Sequence, residues 1–160
     1  MTDLGSLSYF LGFEFLRIDA GILMHQKKYI SDVLERFNML EYNLATTTFE
    51  TGHILGKENP EDKSVDSTLY RQMIGSLRYI CNSRPYLAYG VGLVIRYMKH
   101  PKTSQMHAVK KILRYLKGSI DYGDMFLANK TRELSTIYDY TYVDWCGDKD
   151  DRKSTSGYIM

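Results

Sequence analysis

Acidic side chains near the C-terminus are the residues of this sequence best suited to chemistry. Five aspartates lie between positions 139 and 151, and hard divalent cations take carboxylate oxygens as ligands. Their spacing is not that of a calcium-binding loop, which needs carboxylates at alternate positions, a central glycine and a final glutamate. Neighbouring lysines and arginine also offset their charge. No metal site is therefore predicted from these aspartates alone, which are Asp139, Asp144, Asp148, Asp150 and Asp151.

The tetrapeptide YVDW at 142–145 is similar to the Tyr-x-Asp-Asp motif of polymerases. Trp145 stands where the second carboxylate of that motif would be. Because two-metal catalysis needs more than one carboxylate, this segment does not predict a polymerase site.

Histidine and cysteine spacing gives no catalytic or zinc-binding pattern either. The only cysteines, Cys81 and Cys146, are far apart and form no CxxC pair, so we expect neither a disulfide framework nor a zinc site. No nucleophile elbow or glycine-rich phosphate loop occurs. No two of the four histidines have the i and i+4 spacing of metal ligands on a helix. They are His25, His53, His100 and His107.

A basic stretch close to residue 115 is a candidate for nucleic-acid binding. On a helix, three of its cations share one face, where each phosphate contact would add about 0.9 to the salt dependence of duplex binding. The alternative is an ordinary solvated face, because apolar residues lie opposite. The cations are Lys110, Lys111, Arg114 and Lys117, of which Lys110, Arg114 and Lys117 share the face.

Length and composition fit a globular, intracellular protein. The chain has 160 residues, 44% hydrophobic and 25% charged, with a net charge of only +2. Asp3 lies where a secretory signal would carry a basic residue, and no window approaches the roughly 20 apolar residues of a membrane span. We therefore expect a location in the cytoplasm or nucleus and no membrane partner.

Two strands are predicted at the start of the chain. Alternating side chains from Tyr9 to Phe15 indicate the first strand, and the second follows a turn at 19–21, where Gly21 can take a positive φ. From residue 26 to 39 the apolar spacing becomes helical. A β-hairpin followed by a helix is therefore expected.

Three consecutive helices are predicted after a long loop at 40–65. Pro85 suits the first turn of the middle helix, and Gly118 suits the C-terminal cap of the last. Short connections favour an antiparallel bundle, and strand patterns return after residue 123. The first of these three helices is expected to begin near Asp66 or Ser67 as its N-cap, with Leu69 among its buried residues, and the last is expected to begin near Ser104.

Five long stretches identify a family when they are taken together and in order. They read DLGSLSYFLGFEF, QKKYISDVLERFNM, LYRQMIGSLRYICNSRPYLAYGVGLVIRYMKHP, HAVKKILRYLKGSIDYG and YVDWCGDKDDRKSTSGYIM. This combination closely resembles the Pol polyprotein of copia-type LTR retrotransposons, and it covers essentially the whole chain.

The resemblance implies an α+β fold with three parts. Residues 1–25 resemble the primer-grip hairpin of the reverse transcriptase, and residues 26–122 resemble its thumb and connection, with about four helices. Residues 123–160 resemble connection strands and the beginning of a ribonuclease H sheet with antiparallel strands. The implied partner is an RNA/DNA hybrid or another duplex, with no small-molecule substrate, and the primer-grip contacts would be Tyr9, Phe10, Leu11 and Gly12.

The resemblance also implies a chain without catalytic activity. The family commonly reads Ser-Asp-Ala-Asp-Trp at 141–145, and Tyr142 replaces the first aspartate, a metal ligand. A phenol, with a pKa of about 10, does not substitute for a carboxylate between two cations. The polymerase carboxylates belong before residue 1, and three ribonuclease H carboxylates belong after residue 160. We therefore expect a truncated chain, beginning at an internal methionine, that needs no cofactor although the family uses Mg²⁺.

Two further interpretations stay open. The chain is alternatively a recruited, non-catalytic module that binds RNA/DNA hybrids. A third interpretation is a secreted effector, because KILR at 111–114 differs at one position from the RxLR tetrapeptide of pathogen effectors. The position of KILR deep in the chain and the lack of a signal peptide count against the third.

Overall fold

The computed structural model describes residues 5–49, 55, 62–128, 140–144 and 152–159. Within these ranges the chain forms four α-helices, one short 3-10 helix and six β-strands. Helices occupy the middle of the chain and strands lie before and after them. The α+β fold predicted from the sequence is confirmed.

Four strands form an antiparallel sheet that joins the two ends of the helical region. The predicted hairpin around Asp19 to Gly21 is present, because β2 pairs with β3. Among the described residues, the strand at 124–127 pairs with β3 and not with the later strands, so it closes the N-terminal sheet. The strands, in sheet order, are β1 (Tyr9–Phe10), β2 (Phe13–Ile18), β3 (Gly21–His25) and β4 (Asp124–Leu127).

Gly21 makes the pairing of β3 with β4 possible. Its φ of 149° lies in a region that side chains rarely adopt, as the sequence predicts for the turn. A Cβ at this position would lie only 2.0 Å from the Phe126 carbonyl oxygen of β4. Any larger residue would therefore push β4 away from the hairpin.

The single strand predicted from Tyr9 to Phe15 is wrong, because the chain reverses within it. Phe10 pairs with Phe13, so Leu11 and Gly12 form a two-residue turn between β1 and β2. Both turn residues have positive φ, 49° and 79°, which is the geometry that a tight hairpin requires. Leucine rarely adopts this conformation, and alternation alone therefore favoured a continuous strand.

The predicted helices are present with small changes at their ends. Asp66 is the N-cap of α2, and its carboxylate accepts a hydrogen bond of 2.7 Å from the Thr68 N–H. Gly118 is the last residue of α4 and not its cap, which is Ser119. Among the described residues, no helix combines the length and apolar character that crossing a membrane requires. The helices are α1 (Lys27–Arg36), α2 (Ser67–Ile80), the 3-10 helix Pro85–Leu87, α3 (Ala88–Ile95) and α4 (Thr103–Gly118).

The four helices enclose one apolar core. Each contributes a stripe of buried side chains at helical spacing, as an amphipathic pattern dictates. Leu69, which was expected in this core, is 36% exposed, since it lies in the first turn of α2, at the end of the helix. The fully buried core residues include Ile30, Val33, Tyr70, Leu77, Ile80, Val94, Val109, Ile112 and Leu113.

Two further strands form a separate two-stranded sheet. β5 (Tyr140–Asp144) and β6 (Thr155–Ile159) are antiparallel, which agrees with the strands expected near the C-terminus. In their register Tyr142 lies opposite Gly157. β6 lies against α3 of the helical core.

Arg84 is a completely buried cation that joins the end of α2 to the end of α4. Its Nη1 donates to the Ser119 carbonyl at 2.7 Å, and its Nη2 donates to the Tyr122 carbonyl at 2.5 Å and the Ile120 carbonyl at 3.3 Å. These carbonyls follow the last turn of α4, where the helix dipole favours a positive charge. Arg84 therefore fixes the segment that leads from α4 into β4.

We predict that Arg84→Lys lowers the free energy of unfolding by about 2 kcal/mol, because one ammonium cannot reach the carbonyls that the planar guanidinium serves. The matched control is Arg71→Lys, since Arg71 is exposed and donates to the Ser67 hydroxyl within α2 at 2.9 Å. Urea unfolding followed by circular dichroism measures both changes. A loss at Arg84 no larger than that of the control, within about 0.5 kcal/mol, would contradict the assignment.

Candidate nucleic-acid interface

The turn between β1 and β2 presents apolar side chains to solvent. Tyr9, Phe10 and Leu11 are 54%, 55% and 68% exposed, respectively. Gly12 completes the turn. The four predicted primer-grip residues therefore lie together at one edge of the sheet, and an approaching ligand can reach them.

A tyrosine of α2 holds this turn against the helices. The Tyr79 hydroxyl donates a hydrogen bond to the Leu11 carbonyl oxygen. Its ring centroid lies 5.7 Å from that of Phe13 and 5.0 Å from that of Tyr29. A Cβ added to Gly12 would be in van der Waals contact with the Tyr79 ring at 3.5 Å. The turn is thus packed on the helical core through Tyr79.

The solvent face of α2 continues from this turn. Arg71, Gln72, Gly75 and Arg78 are exposed at helical spacing, and Arg78 directly precedes Tyr79. A Cβ at Gly75 would contact nothing within 4 Å, so the helix backbone is open to approach there. This face was not predicted from the sequence. The sequence feature that could have indicated it is a mid-helix glycine between two arginines that are seven residues apart.

The predicted basic face of α4 already has partners within the chain. Lys117 Nζ donates to the Leu40 carbonyl and, at 2.9 Å, to the Tyr42 carbonyl. Arg114 Nε donates to the Asn43 carbonyl at 2.6 Å, and Lys110 Nζ lies 5.9 Å from the centre of the Tyr42 ring. We call residues 40–45 the α1–α2 loop segment. The cations of α4 hold this segment against the helix.

Two groups of predicted contact residues therefore have different surroundings. The β1–β2 turn is hydrogen-bonded to α2, whereas the cations Lys110, Arg114 and Lys117 contact the α1–α2 loop segment. Lys111 is half-buried on the same helix. Phosphate binding by these four residues stays a prediction, and any phosphate would compete with backbone carbonyls for Arg114 and Lys117.

The described residues bring no metal site together. Tyr142 and Asp144 lie in β5, opposite Gly157 and Thr155. β5 contains one acidic residue, Asp144, and a pair of Mg²⁺ ions requires more than one carboxylate. Among the described ranges no group of three or more histidine, cysteine or acidic residues is arranged to hold a metal ion. The other aspartates near the C-terminus, from which no metal site was predicted, lie outside the described residues and are Asp139, Asp148, Asp150 and Asp151.

Cys81 is not an activated nucleophile. Burial raises the pKa of its thiol to about 11, which outweighs the opposing effect of the Arg78 charge. Because the thiolate is the reactive form, this cysteine is protonated and unreactive near neutral pH.

Comparison with known proteins gives the family. Over 160 residues the chain is 38% identical to the retrovirus-related Pol polyprotein from transposon RE1 of Arabidopsis thaliana. The match covers 100% of this chain and 11% of that polyprotein. Over 154 residues it is 39% identical to the Pol polyprotein from transposon RE2 of the same plant, covering 96% and 10%. The chain belongs to the copia-type Pol polyproteins. It spans about a tenth of the length of these two relatives.

A shorter match concerns the effector interpretation. This Pol chain is 35% identical over 92 residues to the secreted RxLR effector protein 161 of Plasmopara viticola, covering 57% of this chain and 63% of the effector. That match leaves out much of the chain, whereas the match to the RE1 polyprotein is complete. No protein-family model and no solved structure matches the chain.

We predict that replacing both Arg114 and Lys117 with alanine loosens the α1–α2 loop segment of this Pol chain. Its carbonyls lose their charged donors, at a cost of about 1 kcal/mol, which corresponds to roughly fivefold faster local hydrogen exchange. The amide of Ala45, which donates to the Arg114 carbonyl at 3.4 Å, is one reporter. The control is Lys99→Ala, which removes an exposed cation outside α4. Equal exchange in the two variants would show that Arg114 and Lys117 do not hold the loop.

Proposed function

We propose that this chain is a non-catalytic part of a copia-type Pol protein that binds double-stranded nucleic acid, with an RNA/DNA hybrid as the expected form. The duplex would lie across the β1–β2 turn and the solvent face of α2. One observation carries the proposal: the Tyr79 hydrogen bond to the Leu11 carbonyl, which puts an exposed apolar turn beside a helix face with two arginines.

The two arginines suit contacts with phosphates. Arg71 and Arg78 are seven residues apart on α2, about 10 Å along the helix axis. Arginine has five N–H donors, so the bond from Arg71 to Ser67 leaves donors for a phosphate. Such contacts are independent of sequence and become weaker with salt, as expected for a surface that follows a nucleic-acid backbone.

Gly75 supports a close approach of the ligand. A glycine inside a helix costs roughly 0.5–1 kcal/mol relative to alanine, and here no packing compensates, since nothing lies within 4 Å of the Cβ position. A ligand backbone that lies directly against α2 would explain this residue. The helix then contributes shape, while Arg71 and Arg78 contribute charge.

The proposed lack of ribonuclease activity is based on β5. Tyr142 lies where the family carries a metal-binding aspartate, and a neutral phenol offers no anionic oxygen near pH 7. Hybrid incubated with the chain and Mg²⁺ is therefore expected to remain uncut. Cleavage by the purified chain would overturn this part of the proposal.

A recruited hybrid-binding module would use the same surface, so binding does not separate it from the main proposal. The effector alternative has an observation against it. Within the KILR tetrapeptide, Ile112 and Leu113 are fully buried in the core. A receptor that reads an extended tetrapeptide would have to unfold α4 to reach it, and we therefore do not favour this alternative.

We predict that Gly75→Ala weakens binding to an RNA/DNA hybrid three- to tenfold while it raises stability. The added methyl group stands between the helix and the ligand, and alanine stabilises the helix by roughly 0.5–1 kcal/mol. Gly92→Ala is the matched control, because Gly92 lies inside α3 and its Cβ position is equally open. It should stabilise the protein to a similar extent and leave hybrid affinity unchanged.

Fluorescence anisotropy with a labelled hybrid across a salt series measures these affinities. Arg78→Gln should also reduce the slope of log K against log salt by about 0.9, which is the effect of one lost phosphate contact. Arg36→Gln, at an exposed position of α1, is the control for a general loss of charge. No salt-dependent binding by the unchanged chain would overturn the proposed function.

A further inference from the structure

Leu11 has an unfavourable backbone conformation without any compensation from its own side chain. Its φ of 49° is left-handed, a region that leucine seldom occupies because Cβ is crowded there. The side chain is 68% exposed, so burial of apolar surface does not offset the strain. Strain of this kind persists only where surrounding contacts impose it, and it often marks a functional position.

The two-residue hairpin requires this conformation, but the short strands beside it hold it only weakly. β1 consists of two residues, Tyr9 and Phe10, and such a short pair of strands is marginal in water. The Phe15 N–H donates to the Ser8 carbonyl at 2.9 Å beyond the end of β1. The turn is also held by Tyr79, whose hydroxyl binds the Leu11 carbonyl and whose ring lies beside Gly12.

We infer that Tyr79 is a positioning residue for nucleic-acid binding: its hydroxyl holds the Leu11 carbonyl, and this keeps the Leu11 side chain turned outward as an apolar contact. The inference rests on the proposed function. The surface that Leu11 meets would be the apolar sugar and base surface of a duplex whose phosphates lie along α2. Tyr79 thereby fixes the position of the turn relative to the solvent face of α2.

Loss of the Tyr79 hydroxyl should reduce the population of the binding-competent turn. Without its donor, the Leu11 carbonyl turns to water and the leucine relaxes to a negative φ. The apparent affinity falls in proportion to the fraction of molecules that keep the competent turn. A competent fraction of roughly one fifth would make hybrid binding about fivefold weaker.

The test is Tyr79→Phe, which removes the hydroxyl and keeps the ring that packs on Phe13 and Tyr29. Tyr97→Phe is the matched control, because the Tyr97 hydroxyl donates to the Leu55 carbonyl at 2.5 Å. Both variants lose one bond from a hydroxyl to a backbone carbonyl. We expect about fivefold weaker hybrid binding for Tyr79→Phe, by the population argument above, and unchanged binding for Tyr97→Phe.

A second pair of variants separates positioning from stability. Leu11→Gly relieves the strained φ, so its urea midpoint should rise while hybrid binding weakens. Asn38→Gly is the control, since Asn38 also has a positive φ, 54°, at the end of α1. It should leave hybrid binding unchanged. A purely structural role for the turn would instead make stability and affinity change in the same direction.

Each outcome has a distinct meaning. If the unchanged chain binds hybrid and Tyr79→Phe binds equally well, the positioning role is wrong while the proposed function stands. If Leu11→Gly binds as tightly as the unchanged chain, the contact assigned to Leu11 is wrong. If the unchanged chain does not bind hybrid at all, the proposed function fails, and the inference fails with it.

Discussion

The buried guanidinium of Arg84 is the interaction on which the arrangement of helices and sheet depends. Its hydrogen-bond partners include backbone carbonyls and the Ser119 hydroxyl just after α4, where the helix dipole concentrates partial negative charge. The two Nη groups of this buried charge bind the carbonyls of Ser119, Ile120 and Tyr122, which fixes the segment from Ser119 to Tyr122, while Nε has no hydrogen-bond partner among the described residues. That segment leads into β4, and β4 pairs with β3. Arg84 thus determines where the helical core meets the N-terminal sheet.

Tyr79 provides the second link between the same two parts. Arg84 acts through β4 at one edge of the sheet, and Tyr79 acts at the other edge through the β1–β2 turn. Between them, the Glu14 carboxylate accepts a hydrogen bond from the Lys28 N–H at 3.1 Å and lies 3.2 Å from His25. Contacts at both edges and in the middle keep the sheet from pivoting on the helices.

Local patterns were sufficient to predict the helices, and nonlocal contacts explain what was missed. The helical spacing of apolar residues, Asp66 as N-cap and Pro85 at the start of a helix all act within one or two turns of chain. The pairing of β4 with β3 joins residues about 100 positions apart, and the turn at Leu11 depends on Tyr79. No local sequence pattern predicts either contact. Leucine, moreover, is a residue that turn preferences would exclude.

The basic face of α4 shows why charge alone is a poor guide to an interface. Lysine and arginine donors bind backbone carbonyls as readily as phosphates, and the irregular segment at 40–45 has carbonyls without helix or strand partners. A cation that donates to these carbonyls has its first role in stabilising the fold. By contrast, the exposed Gly75 and the left-handed Leu11 both reduce stability and receive no compensation from packing. Residues that are costly to the fold and yet exposed are therefore the stronger indication of where a ligand binds.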